Sequence, residues 1–244
     1  MKLTSKIKSW FKGLYKKEYG LLYLMLGFLS IILFVYCYFG TQEFFANTFI
    51  NVKNLAFFKV IYHNVMAFVL FFGVGCIVFF LFAKQKAEFL GLKKGNRKLG
   101  LIFIAIGTPI CALLGLSTVL DAGMKNTYPL ISFFEFNKWY FIVSYFVSYA
   151  LYYVGWEFLF RGVALNISKE KIGDLGAILL TTVVSALIHT SIGGFGKPMI
   201  ETFSAIFAGL IFGFIAVKTK SIWYSFYLHA LVGFSTDLFI FLLG

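Results

Sequence analysis

The sequence predicts an all-α fold: a polytopic transmembrane helical bundle of about seven spans, preceded by a basic amphipathic helix. Hydrophobic residues make up 60% of the 244 residues. Only 13% of the residues are charged, about half of the fraction usual in a soluble domain. Several apolar runs reach the ~18 residues that a membrane-spanning helix needs. These observations exclude an ordinary soluble domain.

The amphipathic helix is predicted over residues 1–20. Leu3, Ile7, Trp10 and Phe11 follow helical spacing, and six lysines lie among the other positions of this segment. A helix of this kind is suited to lie on an anionic membrane surface. We expect it to be cytoplasmic and to anchor the orientation of the chain.

The seven predicted spans form one integral membrane domain, residues 1–244, without an internal repeat or a second domain. They cover roughly residues 21–40, 61–83, 99–120, 139–166, 174–192, 199–217 and 222–243.

The distribution of basic residues predicts the orientation of these spans. A net charge of +12 is compatible with a nucleic-acid partner. With a cytoplasmic N-terminus, however, sixteen Lys and Arg residues fall inside and five fall outside, while Arg161 lies within a span. This is the positive-inside bias of membrane proteins. We therefore expect a cell-membrane protein whose partners are membrane lipids, and no nucleic acid.

Two charged residues lie inside the fourth predicted span. Glu157 and Arg161 are four residues apart, so they share one helix face with the acid N-terminal to the base, which is the favourable order. A charged side chain near the bilayer centre costs about 2.5–3.5 kcal/mol on insertion scales. The pair is expected to face protein or trapped water, either as an internal ion pair or as an acid that handles a proton beside an orienting cation.

Histidines in two further spans extend this polar set. His189 lies in the fifth predicted span and His229 in the seventh. Ionisable residues inside membrane helices usually face the bundle interior and mark a pathway or a site. We expect Glu157 and the two histidines to share one cavity within a catalytic-type core, residues 150–240. His63, at the predicted outer start of the second span, is expected to be an interfacial residue.

Three more residues are expected to support this core. Lys197 follows the glycines after the fifth span. Glu201 lies in the first turn of the next helix, where the helix dipole favours an acid, and either caps that helix or points inward. Asp237 follows His229 by two turns in the seventh span.

A buried glutamate with two histidines permits three kinds of chemistry. Such residues can bind a divalent metal ion, activate water with the carboxylate as general base, or relay protons in a transporter. The sequence contains no His-Glu-x-x-His zinc motif, no nucleotide-binding loop and no Gly-x-Ser-x-Gly motif. The three cysteines fall inside spans without ligand-like spacing, so neither a disulfide framework nor a zinc–thiolate site is expected.

Three motifs resemble the CAAX-protease and bacteriocin-processing (CPBP, or Abi) family of intramembrane proteases. That family carries Glu-Glu-x-x-x-Arg on one span, a Phe-x-x-x-His-type motif on the next and His-x-x-x-Asn on a later one. The matching pieces, in the same order, are Glu157 to Gly162, Ser185 to His189, and Ser221 leading to His229. Two positions depart from the pattern: we place the second glutamate of the family at Phe158 and its asparagine at Gly233. Glu201 or Asp237 could supply the missing polar groups.

The resemblance implies an intramembrane endopeptidase that hydrolyses a peptide bond in a membrane-associated peptide or protein. By this resemblance Glu157 would be the general base, His189 its partner on the water, and His229 a metal ligand or an oxyanion donor. It leaves open whether a zinc ion held by His189, His229 and Glu157 takes part, or whether glutamate and histidine act alone. The alternatives are an inactive relative that acts in peptide (bacteriocin) immunity or as a binding scaffold, and a small proton-coupled transporter. The transporter lacks the support of an inverted repeat.

Overall fold

The computed structural model describes residues 16–190 and 196–244. Within these residues the chain is helical and contains no strand, which confirms the predicted all-α fold. Six helical segments are long and apolar enough to cross a membrane, and the protein is an integral membrane protein in a lipid environment. The predicted amphipathic helix at residues 1–20 falls mostly on residues 1–15, which lie outside the described residues.

Five helices lie in the first part of the described chain. They are α1 (Gly20–Phe39), the short α2 (Gln42–Thr48), α3 (Leu55–Ala67, continued by π-helical turns at Phe68–Val74 and Ile77–Phe82), α4 (Arg97–Ser117) and the short α5 (Ala122–Thr127). Thr41, Asn96 and Asp121 each accept a hydrogen bond from the backbone N–H three residues later. These side chains satisfy N–H groups that a helix start leaves without a partner, and so determine where α2, α4 and α5 begin.

Four longer helices form the second part. They are α6 (Trp139–Glu157, continued by a π-helical segment at Phe158–Ala164), α7 (Leu165–His189), α8 (Met199–Thr219) and α9 (Trp223–Leu243). The π-helical segment begins immediately after Glu157 and contains Arg161. Widened turns of this kind are frequent at functional sites.

A break at Gly173 reconciles these helices with the seven predicted spans. The helical run Trp139–His189 has 51 residues and would extend about 75 Å as a straight helix. That is more than twice the ~30 Å hydrocarbon core of a bilayer. Gly173 has φ 72° and ψ 172°, a conformation that is essentially restricted to glycine. The run therefore divides at Gly173 into two crossings.

Replacing Gly173 with alanine should destabilise the fold by about 1–3 kcal/mol, the cost of forcing an L-residue into this backbone region. Space is not the cause, because a Cβ at Gly173 would meet no atom within 4 Å. Gly27 in α1 has equally open surroundings and no positive φ, so Gly27→Ala is the matched control and should be neutral or slightly stabilising. Denaturant unfolding in detergent measures both variants, and equal effects would contradict the explanation.

The helices pack in pairs, and their buried hydrophobic residues form five clusters in the described part of the chain. α9 lies along α4, α7 along α8, and α3 along α6. The larger core gathers Trp156 and Phe158 of α6 with residues of α1 and α3, and Leu90, from the segment between α3 and α4, is fully buried in it. A second, aromatic core contains Tyr145, Tyr149 and Tyr153 of α6.

Candidate active site

Glu157 and His229 are in direct contact. Nδ1 of His229, from α9, lies 2.8 Å from Oε1 of Glu157 at the end of α6. Nη1 of Arg161 lies 3.4 Å from the same oxygen. Glu157 is 0% exposed and Arg161 3%. The structure thus brings an acid, an imidazole and a guanidinium together, and the acid and the guanidinium are closed to bulk solvent.

Aromatic rings surround this cluster. The His229 ring centroid lies 4.6 Å from that of Tyr153 and 5.0 Å from that of Phe212 in α8. The Arg161 guanidinium lies 5.8 Å from the centroid of the same Phe212 ring. The rings restrict the orientation of the imidazole and exclude water from the ion pair, so Glu157 and Arg161 must neutralise each other.

A polar cavity adjoins the cluster, with an empty volume of about 420 Å³ that includes open solvent. All three histidines of the chain line it. Its other lining residues are Asn64, Tyr128, Leu130, Tyr149, Tyr152, Tyr153, Trp156, Lys197 and Glu201. Glu157, Arg161 and Asp237 do not line it. His229 therefore lies between the buried carboxylate and the cavity.

His189 comes to the cavity from the last residue of α7. Its Nδ1 lies 2.8 Å from the backbone carbonyl of Ser185, one turn earlier. A carbonyl only accepts hydrogen bonds, so Nδ1 carries the proton in this arrangement. The His189 ring meets Trp156 edge-on at 5.8 Å. The Ser185-x-x-x-His189 spacing thus orients the imidazole through the backbone of its own helix.

Tyr128, Lys197 and Glu201 form a hydrogen-bonded cluster on the cavity wall. Lys197 Nζ donates to the Tyr128 hydroxyl at 2.5 Å, and that hydroxyl donates to Glu201 Oε1 at 2.9 Å. Lys197 and Glu201 also form an ion pair at 3.6 Å. Burial and the neighbouring Glu201 carboxylate raise the pKa of Tyr128 well above its ordinary value, so the hydroxyl stays neutral. Glu201 points inward, one of the two orientations predicted for it.

Asp237 is separate from this arrangement. It is 0% exposed, and the Tyr145 hydroxyl donates a hydrogen bond to its Oδ2. Neither Asp237 nor Tyr145 lines the cavity.

Sequence reasoning did not identify several cavity residues. His63 was expected at the membrane–water interface because the second span was predicted to begin at residue 61. In the structure α3 begins at Leu55, and His63 lines the cavity. His63 Nδ1 lies 2.9 Å from the Gly40 carbonyl, and its Nε2 lies 3.1 Å from the Tyr36 hydroxyl. The adjacent polar pair of His63 and Asn64 in an apolar helix was the available signal. Nothing in the local sequence marked Tyr128.

The predicted zinc ligands His189, His229 and Glu157 do not fit a metal ion as they are arranged. In the described part of the chain, no three His, Cys, Asp or Glu side chains converge into a group that could hold one. Glu157 Oε1 is instead in direct contact with His229 and Arg161. The side chains of the cavity and of the Glu157 cluster are therefore the groups available for catalysis.

The assignment of Phe158 to the second glutamate of the family motif is wrong. In Glu-Glu-x-x-x-Arg the second acid precedes the arginine by four residues, and that is the spacing of Glu157 and Arg161. The departing position is therefore Trp156. The structure agrees with this count, because Trp156 lines the cavity beside His189. Phe158 instead packs against Phe72, at a centroid distance of 4.9 Å, in the larger core.

Comparison with known proteins supports the resemblance drawn from the motifs. Residues 137–235 match the family model described as type II CAAX prenyl endopeptidase, Rce1-like. No curated protein and no solved structure matches the chain. The matched segment runs from just before α6 into α9 and includes Glu157, His189 and His229. In its second half the chain is therefore similar to the CPBP family of CAAX proteases.

Proposed function

We propose that this protein is an intramembrane endopeptidase of the CAAX-protease type, which hydrolyses a peptide bond in a membrane-associated peptide or protein. One observation carries the proposal: the buried Glu157 carboxylate bonds one nitrogen of His229, and His229 lines a polar cavity. A carboxylate that orients an imidazole is a recurring device for general-base catalysis.

The geometry supports a division of roles that differs from the one implied by the resemblance. Glu157 is sealed from the cavity, so it does not reach a water there. We assign the general base to His229, whose Nε2 makes no hydrogen bond to the described residues. Glu157 orients the ring and stabilises its protonated form, and Arg161 holds Glu157 in place. His189 helps to position the water.

In this arrangement peptide hydrolysis needs only the cavity water and the side chains just assigned. A cavity water transfers a proton to His229 Nε2 as its oxygen forms a bond to the scissile carbonyl carbon. Collapse of the tetrahedral intermediate breaks the C–N bond, and the proton passes from His229 to the leaving amine. A well-placed general base of this kind contributes about 10²- to 10⁴-fold to the rate.

The direct test is proteolysis by the purified protein in liposomes. Quenched fluorescent peptides with prenylated CAAX ends are suitable first substrates, because the matched family model describes prenyl endopeptidases. A library of membrane-anchored peptides with other C-terminal sequences, analysed by mass spectrometry, tests substrates without a prenylated CAAX end. Cleavage of at least one class is the expected result.

A second candidate function is binding without cleavage, as in immunity to a secreted peptide. Trp156 favours it, because this side chain occupies a cavity-facing position where the family motif has an acid. Partner binding or protection that survives Glu157→Gln, together with no cleavage by the unaltered protein, would identify this function.

The orientation of the cavity is a further part of the proposal. Tyr128 and Leu130 come from the segment between α5 and α6, which the basic-residue distribution places outside the cytoplasm. The opposite end of the bundle is packed by the buried Leu90. We infer that the cavity faces the outer side of the cell membrane and that its substrate arrives from there.

Cysteine labelling tests this orientation. Lys138 precedes α6 on the proposed outer side, and Lys94 lies between α3 and α4 on the proposed inner side; both are exposed. In a variant whose native cysteines are replaced by alanine, a membrane-impermeant maleimide should label Lys138→Cys in intact cells. It should label Lys94→Cys only after permeabilisation, and the reverse pattern would overturn the orientation.

A further inference from the structure

Gly233 in α9 has no room for a side chain. A Cβ built there would lie 1.9 Å from the hydroxyl oxygen of Tyr153 and 2.8 Å from its Cζ. The Tyr149 hydroxyl would be 3.0 Å away. The clash involves the tip of a ring that is 5% exposed, so the ring has little freedom to move. The tyrosine at position 153 therefore fits only because position 233 is a glycine.

This pair lies where the sequence departs from the His-x-x-x-Asn pattern. An asparagine at position 233 would begin in the volume that the Tyr153 hydroxyl now occupies. Tyr153 comes from α6, one turn before Glu157, and its ring lies 4.6 Å from that of His229. It also lines the cavity. The Tyr153 hydroxyl thus occupies the place where a side chain at position 233 would begin, and it is a hydrogen-bond donor supplied by a different helix.

We propose that Tyr153 is a catalytic residue that donates a hydrogen bond to the oxyanion formed when water adds to the scissile carbonyl. This inference rests on the proposed peptidase function. A phenolic O–H is both donor and acceptor. In a largely buried site, a fixed donor aimed at developing negative charge is worth much more than the same donor in bulk water. Removal of one such donor typically lowers kcat by about 10²- to 10³-fold.

The first test compares two tyrosine-to-phenylalanine variants in the liposome assay. Tyr153→Phe keeps the ring against His229 and removes only the hydroxyl, so kcat should fall about 10²- to 10³-fold while KM stays within about threefold. Tyr227→Phe makes the same change at an exposed tyrosine of α9 outside the cavity and should keep full activity. A purely structural role for Tyr153 would not affect kcat selectively.

The second test moves the donor back to α9. Gly233→Asn alone should be inactive because the new side chain meets the Tyr153 ring. Tyr153→Leu alone should lose the donor and much of the activity. The double variant Tyr153→Leu/Gly233→Asn has space for the amide. Its kcat should be at least about tenfold higher than that of Tyr153→Leu. Such recovery is a coupling that independent sites do not show.

The outcomes distinguish this inference from the proposed function. Wild-type kcat in Tyr153→Phe, in a preparation where Glu157→Gln is inactive, would overturn the role of Tyr153 and leave the peptidase intact. Full activity in Glu157→Gln, or no cleavage by the unaltered protein, would overturn both. If Tyr153→Phe does not fold, absence of recovery in a folded double variant also overturns the role.

Discussion

Replacing Glu157 with glutamine is expected to lower the rate of peptide cleavage by about 10²- to 10⁴-fold. The amide keeps the size of the side chain but loses the charge that orients His229 and stabilises its protonated form. His229 would then hold the water without accepting its proton efficiently. The measurement is kcat of the purified variant in liposomes, compared with the unaltered protein.

Two companion variants make this result interpretable. His229→Ala removes the base itself but leaves the Glu157–Arg161 ion pair, so it should be inactive in a folded protein. His189→Ala should also be inactive, because it removes the second imidazole of the cavity. Glu170→Gln alters an exposed acid in α7 and should change nothing. Full activity in Glu157→Gln or His189→Ala would refute the assigned site.

Replacing Arg161 with methionine should destabilise the protein by about 3–5 kcal/mol, the typical effect of removing one partner of a buried ion pair. Arg161 is 3% exposed and Glu157 0%, so the remaining carboxylate would be left buried without its cation. Methionine fills a similar volume, and the loss is therefore electrostatic. Denaturant unfolding in detergent measures the change.

A double variant separates charge from packing. Glu157→Gln/Arg161→Met removes both charges, and should recover most of the stability lost in Arg161→Met although it remains inactive. Arg97→Met changes an exposed arginine at the start of α4 and should alter stability by less than about 0.5 kcal/mol. If Arg161→Met and Arg97→Met had equal effects, the ion pair would not contribute to stability.

Much of the membrane fold could be predicted because it depends on local properties of the chain. A run of about twenty apolar residues needs no tertiary information to be identified as a span. The fourth and fifth spans were predicted as separate segments, and the non-helical backbone of Gly173 agrees with this division although they form one helical run of 51 residues. The start of α3 was missed by six residues, and with it the position of His63, because an apolar segment does not show where its helix begins.

The family and the most polar positions also follow from the order of residues. Glu157 and Arg161 share a helix face in any α-helix, and their position inside an apolar run indicated burial before any contact was known. The match of residues 137–235 to the family model confirms the resemblance drawn from three short motifs. The alignment to the Glu-Glu-x-x-x-Arg motif was misplaced, because Trp156 and not Phe158 stands where the family has its other glutamate.

The sequence by itself determined an all-helical membrane protein, its approximate spans and its relation to the CPBP family, because periodicity, hydropathy and motif spacing are local. Only the tertiary structure decided that His229 and not Glu157 faces the cavity, that His63 and Tyr128 line it, and that the Tyr153 hydroxyl fills the space above Gly233. These features depend on the rotation and separation of helices that are distant in the chain. Side-chain packing sets those quantities in three dimensions, and no single segment encodes them.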